Sequence, residues 1–151
     1  MKWFKGKCVL VPFDFSDASI EAVKVGLAIA ERPENVHVIH VLLELPATDP
    51  VAIWDELNDE RRINTTRDSM QKKLAEADIQ GVRLNAMIGN PAHVVADLAV
   101  EVEAGLIVIP SHGYTGVKRL LLGSVAERVV RLAKCPVLVL KGDETDKGKH
   151  S

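Results

Sequence analysis

No apolar stretch in this 151-residue chain approaches the roughly 18 residues that a membrane-spanning helix needs. The opening residues, Met1-Lys2-Trp3-Phe4-Lys5-Gly6-Lys7, lack the long apolar region and small-residue cleavage site of a secretion signal. A soluble cytoplasmic protein is therefore expected. Basic charge is not in excess either: 19 Lys and Arg face 21 Asp and Glu, for a net charge of -2. Such a balance leaves nothing to neutralise a row of phosphates on DNA or RNA, so nucleic-acid binding is not expected. Cysteine is scarce. Cys8 and Cys135 lie far apart, each beside an apolar run where small buried thiols usually sit, and no structural disulfide is expected.

Catalytic and metal-binding patterns are missing as well. The P-loop signature with its Lys-Ser or Lys-Thr ending is absent, and no Ser-His-Asp or Cys-His arrangement has supporting context. Hydrolytic machinery is not visible, so the chain is not read as an enzyme. The histidines are His37, His40, His93, His112 and His150. His37 and His40 are separated by an odd number on a predicted strand and so point to opposite faces, and no cysteine or carboxylate completes a ligand set. No metal site is expected.

What is present is apolar material in a regular rhythm. Hydrophobic residues make up 47% and charged residues 26%, with ten glycines and seven prolines. That is enough to offset the entropy of ordering around one core in one domain. Residues 8 to 13 read as a first strand, and Ser16 or Asp17 caps a helix carrying Ile20, Val23, Leu27 and Ala30 on one face. Residues 36 to 43 form a second strand, and 44 to 50 a loop. A long helix is expected over 53 to 78, ended by Gly81. Residues 82 to 88 alternate as an edge strand with one wetter face. Asn90 can cap and Pro91 open the next helix, with Val94, Val95, Leu98 and Val102 inward. Residues 106 to 109 form a short, continuously apolar fourth strand, 124 to 133 a last helix, and 136 to 140 a fifth strand. Gly142 to Ser151 is a polar tail, expected to be disordered.

Five strands alternating with helices of this length require parallel crossovers. The predicted architecture is α/β: a three-layer sandwich with a five-stranded parallel sheet and helices on both faces. Ligands of such sheets bind outside the carboxyl ends of the strands, where strand order reverses. The loop from Pro110 to Ser124 is the most informative of those segments. Gly123 and Ser124 sit where the first backbone N–H groups of a helix have no internal partner, a place that attracts phosphate. The alternative is that Gly113 and Gly116 shape a turn, Gly123 adjusts the chain and Ser124 caps the helix. Asp14, at the end of the first strand, can accept from a ribose hydroxyl or an exocyclic amine. Equally, it can cap the following helix or pair with the loop. His112 can contact a phosphate or brace the loop, and Lys118 with Arg119 can steer phosphates or form a solvated pair.

Three segments carry a resemblance covering residues 7 to 141: Ser111-His112-Gly113, the run from Leu120 to Val129, and Cys135-Pro136-Val137-Leu138-Val139. With the opening Val11-Pro12-Phe13-Asp14-Phe15-Ser16, they make the chain resemble the universal stress protein family. Residues 1 to 141 are accordingly expected to be one such domain. The resemblance implies a stress-response protein that holds adenine nucleotide, ATP or else ADP or AMP, as a regulatory ligand. Nucleotide-binding members carry Gly, two residues, Gly, nine residues, then Gly followed by Ser or Thr. Gly113 and the pair Gly123-Ser124 match that pattern, whereas Pro110 stands at the first glycine and offers no backbone N–H. By the same resemblance Pro12 and Asp14 face the adenosine, Val41 lines the base pocket, and Ile109 and Val125 pack beside the nucleotide; the alternative for those two is a place in the core. A homodimer through Val137 to Leu140 is expected, because a continuously apolar edge strand without protecting charges wants a partner and the family commonly pairs there. The alternative is a dimeric interaction module of the same fold without nucleotide.

Overall fold

The computed structural model describes residue 4 and residues 6–45, 58–112 and 122–142. In chain order these form β1 (Cys8–Pro12), α1 (Asp17–Ala30), a single 3-10 turn (Pro33–Asn35), β2 (Val36–Leu42), α2 (Asp59–Glu76), β3 (Arg83–Ile88), α3 (Pro91–Glu101), β4 (Ala104–Pro110), α4 (Ser124–Leu132) and β5 (Val137–Leu140). All strand pairs are parallel, in the order β3-β2-β1-β4-β5. The chain works outward from β1 to β3 and then returns to place β4 on the other side of β1. Strand order therefore reverses between β1 and β4.

The period of two along each strand splits the core into two layers. Val9, Val11, Val36, Val38 and Val108 bury one sheet face under Ala22 and Val23 of α1 and Met70 and Leu74 of α2. Leu10, Ile39, Ile107 and Ile109 bury the other face under Val95 and Leu98 of α3 and Ala126 and Val129 of α4. The three-layer sandwich is thus as expected. α1 packs close to the sheet because Gly26 lacks a side chain: a Cβ there would meet Val11 Cγ2 at 3.0 Å and Val9 Cγ1 at 3.3 Å. β3 and β5 are the edges.

Several boundaries differ from the sequence reading. α2 begins at Asp59, while positions 53 to 57 lie outside the described residues. It ends at Glu76 with Ala77 as its cap, and Asp78 already has φ 59°. Gly81, at φ 83°, turns the chain beyond that end rather than terminating the helix. β4 is longer than four residues because Ala104 and Gly105 join it, with an irregularity in its pairing to β1 between Cys8 and Val9. Small residues carry little apolar signal, so a pattern search stops short of them. The tail from 143 onward lies outside the described residues.

Candidate functional site

At the carboxyl ends of β1, β2 and β4 lies a cavity of about 330 Å³. Its apolar wall is built by register. Pro12 pairs with Ile39 across β1 and β2, and Val41 and Ile109 stand on the same sheet face, under α3 and α4. All four line the cavity, with Pro91 and Val95 closing it from α3.

The turn after β1 supplies the polar wall. Asp14 Oδ1 accepts from Ser16 N at 3.0 Å and from the Ser16 hydroxyl. Ser16 Oγ accepts from Ser19 N at 3.1 Å, capping α1. Ser19, which is buried, donates from Oγ to Ser16 O at 2.8 Å and takes a long bond of 3.4 Å from Asp14 N. Ser16 is therefore the cap, and one oxygen of Asp14 holds the loop, the structural alternative weighed for that residue. Phe15 between them has φ 67°, a left-handed conformation costly for a bulky residue. It is clamped by Phe13 and by the His40 ring, each with its centroid 5.0 Å away. His40 is fixed in turn by a 2.7 Å bond from Nδ1 to Phe13 O.

On the far side of β1 the cavity is closed by the end of β4 and the start of α4. Ile107 N donates to Pro136 O at 3.0 Å and Ser111 N donates to Leu140 O at 2.9 Å. Since amides alternate sides along a strand, the odd-numbered amides of β4 turn to β5 and position 110 turns to β1. The N–H that Pro110 lacks is therefore one that would face the cleft. Gly123 N donates to Ser111 O at 2.7 Å, drawing the entry of α4 against the exit of β4. Gly123, not Ser124, is the N-cap. It provides no side-chain bond, in contrast to Ser16 on α1 and Asn90 on α3. Among the described residues the first amides of α4 have no side-chain cap, and residues Gly123, Ser124, Val125 and Ala126 all line the cavity. Among the described residues, Asp14 is the one carboxylate on its wall and no Lys or Arg lines it.

The sequence profile described as the Universal stress protein family matches residues 7–141. The chain belongs to the universal stress protein family. A universal stress protein of Methanocaldococcus jannaschii is 37% identical over 143 residues, covering 89% of this chain and 82% of that protein. The universal stress protein YxiE of Bacillus subtilis is 31% identical over 145 residues, covering 88% and 97%. Among solved structures, the universal stress protein UspA from Lactobacillus plantarum superposes with TM-score 0.68 at 28% identity, covering 89% of this chain and 97% of its own. A universal stress protein in complex with cAMP superposes with TM-score 0.61 at 26% identity, covering 89% and 96%.

In this universal stress protein the cavity gathers every residue singled out in the sequence for the site except Gly113, which lies outside the described residues along with Gly116, Lys118 and Arg119. His112 is on the wall too. Ser19, Ile39, His40, Pro91 and Val95 also line it, and sequence reasoning had not assigned them there. For Ser19 and Pro91 the signal was present, since both sit in the first turn of a helix that follows a carboxyl strand end. His40 was considered solely as a metal ligand. Among the described residues no three His, Cys, Asp or Glu side chains come together as a metal site. No helix among them is long and apolar enough to cross a membrane.

A second cavity, of about 550 Å³, opens at the opposite pole of the universal stress protein fold, beside the amino ends of the strands. Cys8, Cys135 and His37 line it. Both thiols are free; Cys8 Sγ donates to Val102 O at 3.2 Å. Burial pushes both thiols up from their ordinary value, which keeps them protonated and slow to react. Burial, and then the Arg83 charge, hold His37 below its ordinary 6.5.

Proposed function

We propose that this universal stress protein binds an adenine nucleotide, ATP or else ADP or AMP, as a regulatory ligand, and that it works as a cytoplasmic homodimer rather than as an enzyme. The observation that carries the reading is the cavity at the reversal of strand order, where an apolar slot, a carboxylate and a helix start without a side-chain cap converge. In this reading the base lies against Pro12, Val41 and Ile109, and Asp14 accepts from a ribose hydroxyl. The phosphates meet the first amides of α4 at Gly123, Ser124 and Val125; Gly113, the other matching motif glycine, lies outside the described residues. The cAMP complex of a relative at 26% identity supports an adenine ligand for this fold. The reading as a binding protein follows the sequence, which carries no P-loop ending and no Ser-His-Asp or Cys-His arrangement with supporting context, so occupancy itself is the signal.

For the dimer, support comes from the free edge of β5. Its even-numbered positions bond β4, as Leu140 O does with Ser111 N, so Val137 and Val139 turn their backbone groups outward. A second copy pairing antiparallel would satisfy both edges under one twofold axis. A second reading, a dimeric interaction module without nucleotide, is favoured by one observation: Pro110 removes a donor from the cleft. Mass spectrometry of small molecules released from freshly purified protein separates the two. The first reading expects adenine nucleotide in the released fraction, or its uptake on incubation. A fraction that stays empty after incubation with ATP, ADP and AMP supports the second.

A further inference from the structure

The cavity of about 550 Å³ at the amino ends of the strands is lined by both cysteines of the chain. Cys8 opens β1, and Cys135 stands in the bend before β5. Both pack against the core layer under α3 and α4, so their side chains leave the sheet on the same face. One strand, β4, runs between them. Cys8 pairs with Ala104 of β4, and Cys135 lies two residues before Val137, the partner of Ile107, which brings it close to the same level. Ala104 faces the same layer and lines the cavity, so only a methyl group stands between the two thiols. Cys8 Sγ donates to Val102 O at 3.2 Å, which turns it toward the segment that enters β4. The Cys135 sulfur lies by the backbone amide of Ile107, so both sulfurs lean toward β4 from opposite sides. Cys135 is near enough for its charge to bear on the Cys8 thiol.

A disulfide needs Cα atoms about 4.4–6.8 Å apart, whereas two strand spacings are about 9.5 Å. The pair is too widely spaced to join directly. A metal–thiolate bond is about 2.3 Å, so an ion held between two sulfurs sets them about 4.6 Å apart, where a disulfide sets them about 2 Å apart. The added length of about 2.6 Å raises the upper end of the Cα span to about 9.4 Å, which matches two strand spacings. We infer that Cys8 and Cys135 form a two-thiolate site for a soft monovalent cation of the Cu(I) class. Thiolate ligands select such an ion over harder ones, and two sulfurs fall short of the four ligands that structural zinc takes. On binding, each sulfur gives a lone pair to the ion, its S–H bond breaks and its proton leaves to solvent, while copper stays Cu(I) throughout. The resulting complex is an anion. Lys7 near Cys135 and Arg83 near Cys8 balance that charge in part, with Glu103 acting the other way, and all three line the cavity.

Anaerobic titration of the purified protein with Cu(I), in competition with a coloured Cu(I) chelator, reads both affinity and stoichiometry. One Cu(I) per chain is expected. Cys8→Ser and Cys135→Ser should each weaken binding by more than about a hundredfold, because losing a group that merely supports a metal ligand already costs about 10–100-fold. Failure of the unmodified protein to take Cu(I) from the chelator overturns the proposal. So do two ions per chain, which would mean that each thiol binds separately, and half an ion per chain, which would mean a site shared between copies. Unchanged affinity in either folded variant overturns it as well. Should a variant fail to fold, X-ray absorption at the copper edge of the loaded, unmodified protein decides: two sulfur neighbours are expected, and a single sulfur overturns the assignment.

Discussion

The amide of Gly123 donates to the carbonyl of Ser111 at 2.7 Å, and a Cβ added at Gly123 would sit 3.2 Å from that same oxygen. This contact joins the two ends of the segment between β4 and α4 at the floor of the cavity. Its consequence is that Gly123→Val does more than crowd a ligand, since the branched side chain also presses on the Ser111 backbone. Overpacking of this kind costs about 1–3 kcal/mol. Gly123→Val is expected to lose nucleotide binding and to unfold at lower denaturant, with Gly123→Ala intermediate in both. Urea unfolding of the three proteins checks this, and full stability in Gly123→Val would show that Ser111 gives way easily.

Pro110 should weaken the site. Its missing amide is on the β1 side of β4, toward the cleft, and a hydrogen bond to a charged oxygen is worth about 1.5–3 kcal/mol. Pro110→Gly should therefore tighten ATP about tenfold or more, measured by titration calorimetry. Unchanged or weaker affinity would mean that the ring is accommodated and the donor is not used.

How much of this was legible beforehand differs by element. The buried runs Val9–Val11 and Ile107–Ile109 announce themselves, because strands covered on both faces must be apolar throughout. Asn90 was readable as a cap, and Ser16 as one of two candidates with Asp17, because a short polar side chain before an apolar period has few other uses. Gly123 as the cap of α4 was not, since a glycine contributes no side-chain signal and its role arises from the approach of Ser111, a contact outside its local window. The inclusion of Ala104 and Gly105 in β4 was missed for a similar reason. His40 was visible but its bond to Phe13 O was not, because linear spacing carries no trace of a partner 27 positions away.

The free edge of β5 gives a sharp test of the dimer. Val139 N–H points away from β4, so Val139→Pro should remove an intermolecular donor without breaking the β4 ladder, and the protein should run as a monomer. Leu138, 38% exposed, tests apolar packing instead, and Leu138→Lys should loosen the pair. Light scattering at tens of micromolar reads both. A monomeric mass for the unmodified protein would end the proposal.

Acid should destabilise the fold through His37. Its pKa lies below the ordinary 6.5, so the unfolded chain takes up the proton first. The contribution to stability is complete above that ordinary value and is lost as pH falls from it through the lower folded value. Unfolding midpoints from about pH 7 to about pH 5.5 should therefore drop more steeply in the unmodified protein than in His37→Asn. Parallel curves would show that the ring titrates alike in both states.

The most direct measurement of the central claim is titration calorimetry of the unmodified protein with ATP, ADP and AMP, carried to millimolar ligand. Saturable binding at one site per chain, with the three nucleotides competing for it, is the predicted result. Absence of binding by all three at millimolar concentration would contradict the claim that the cavity between β1, β4 and α4 is a nucleotide site.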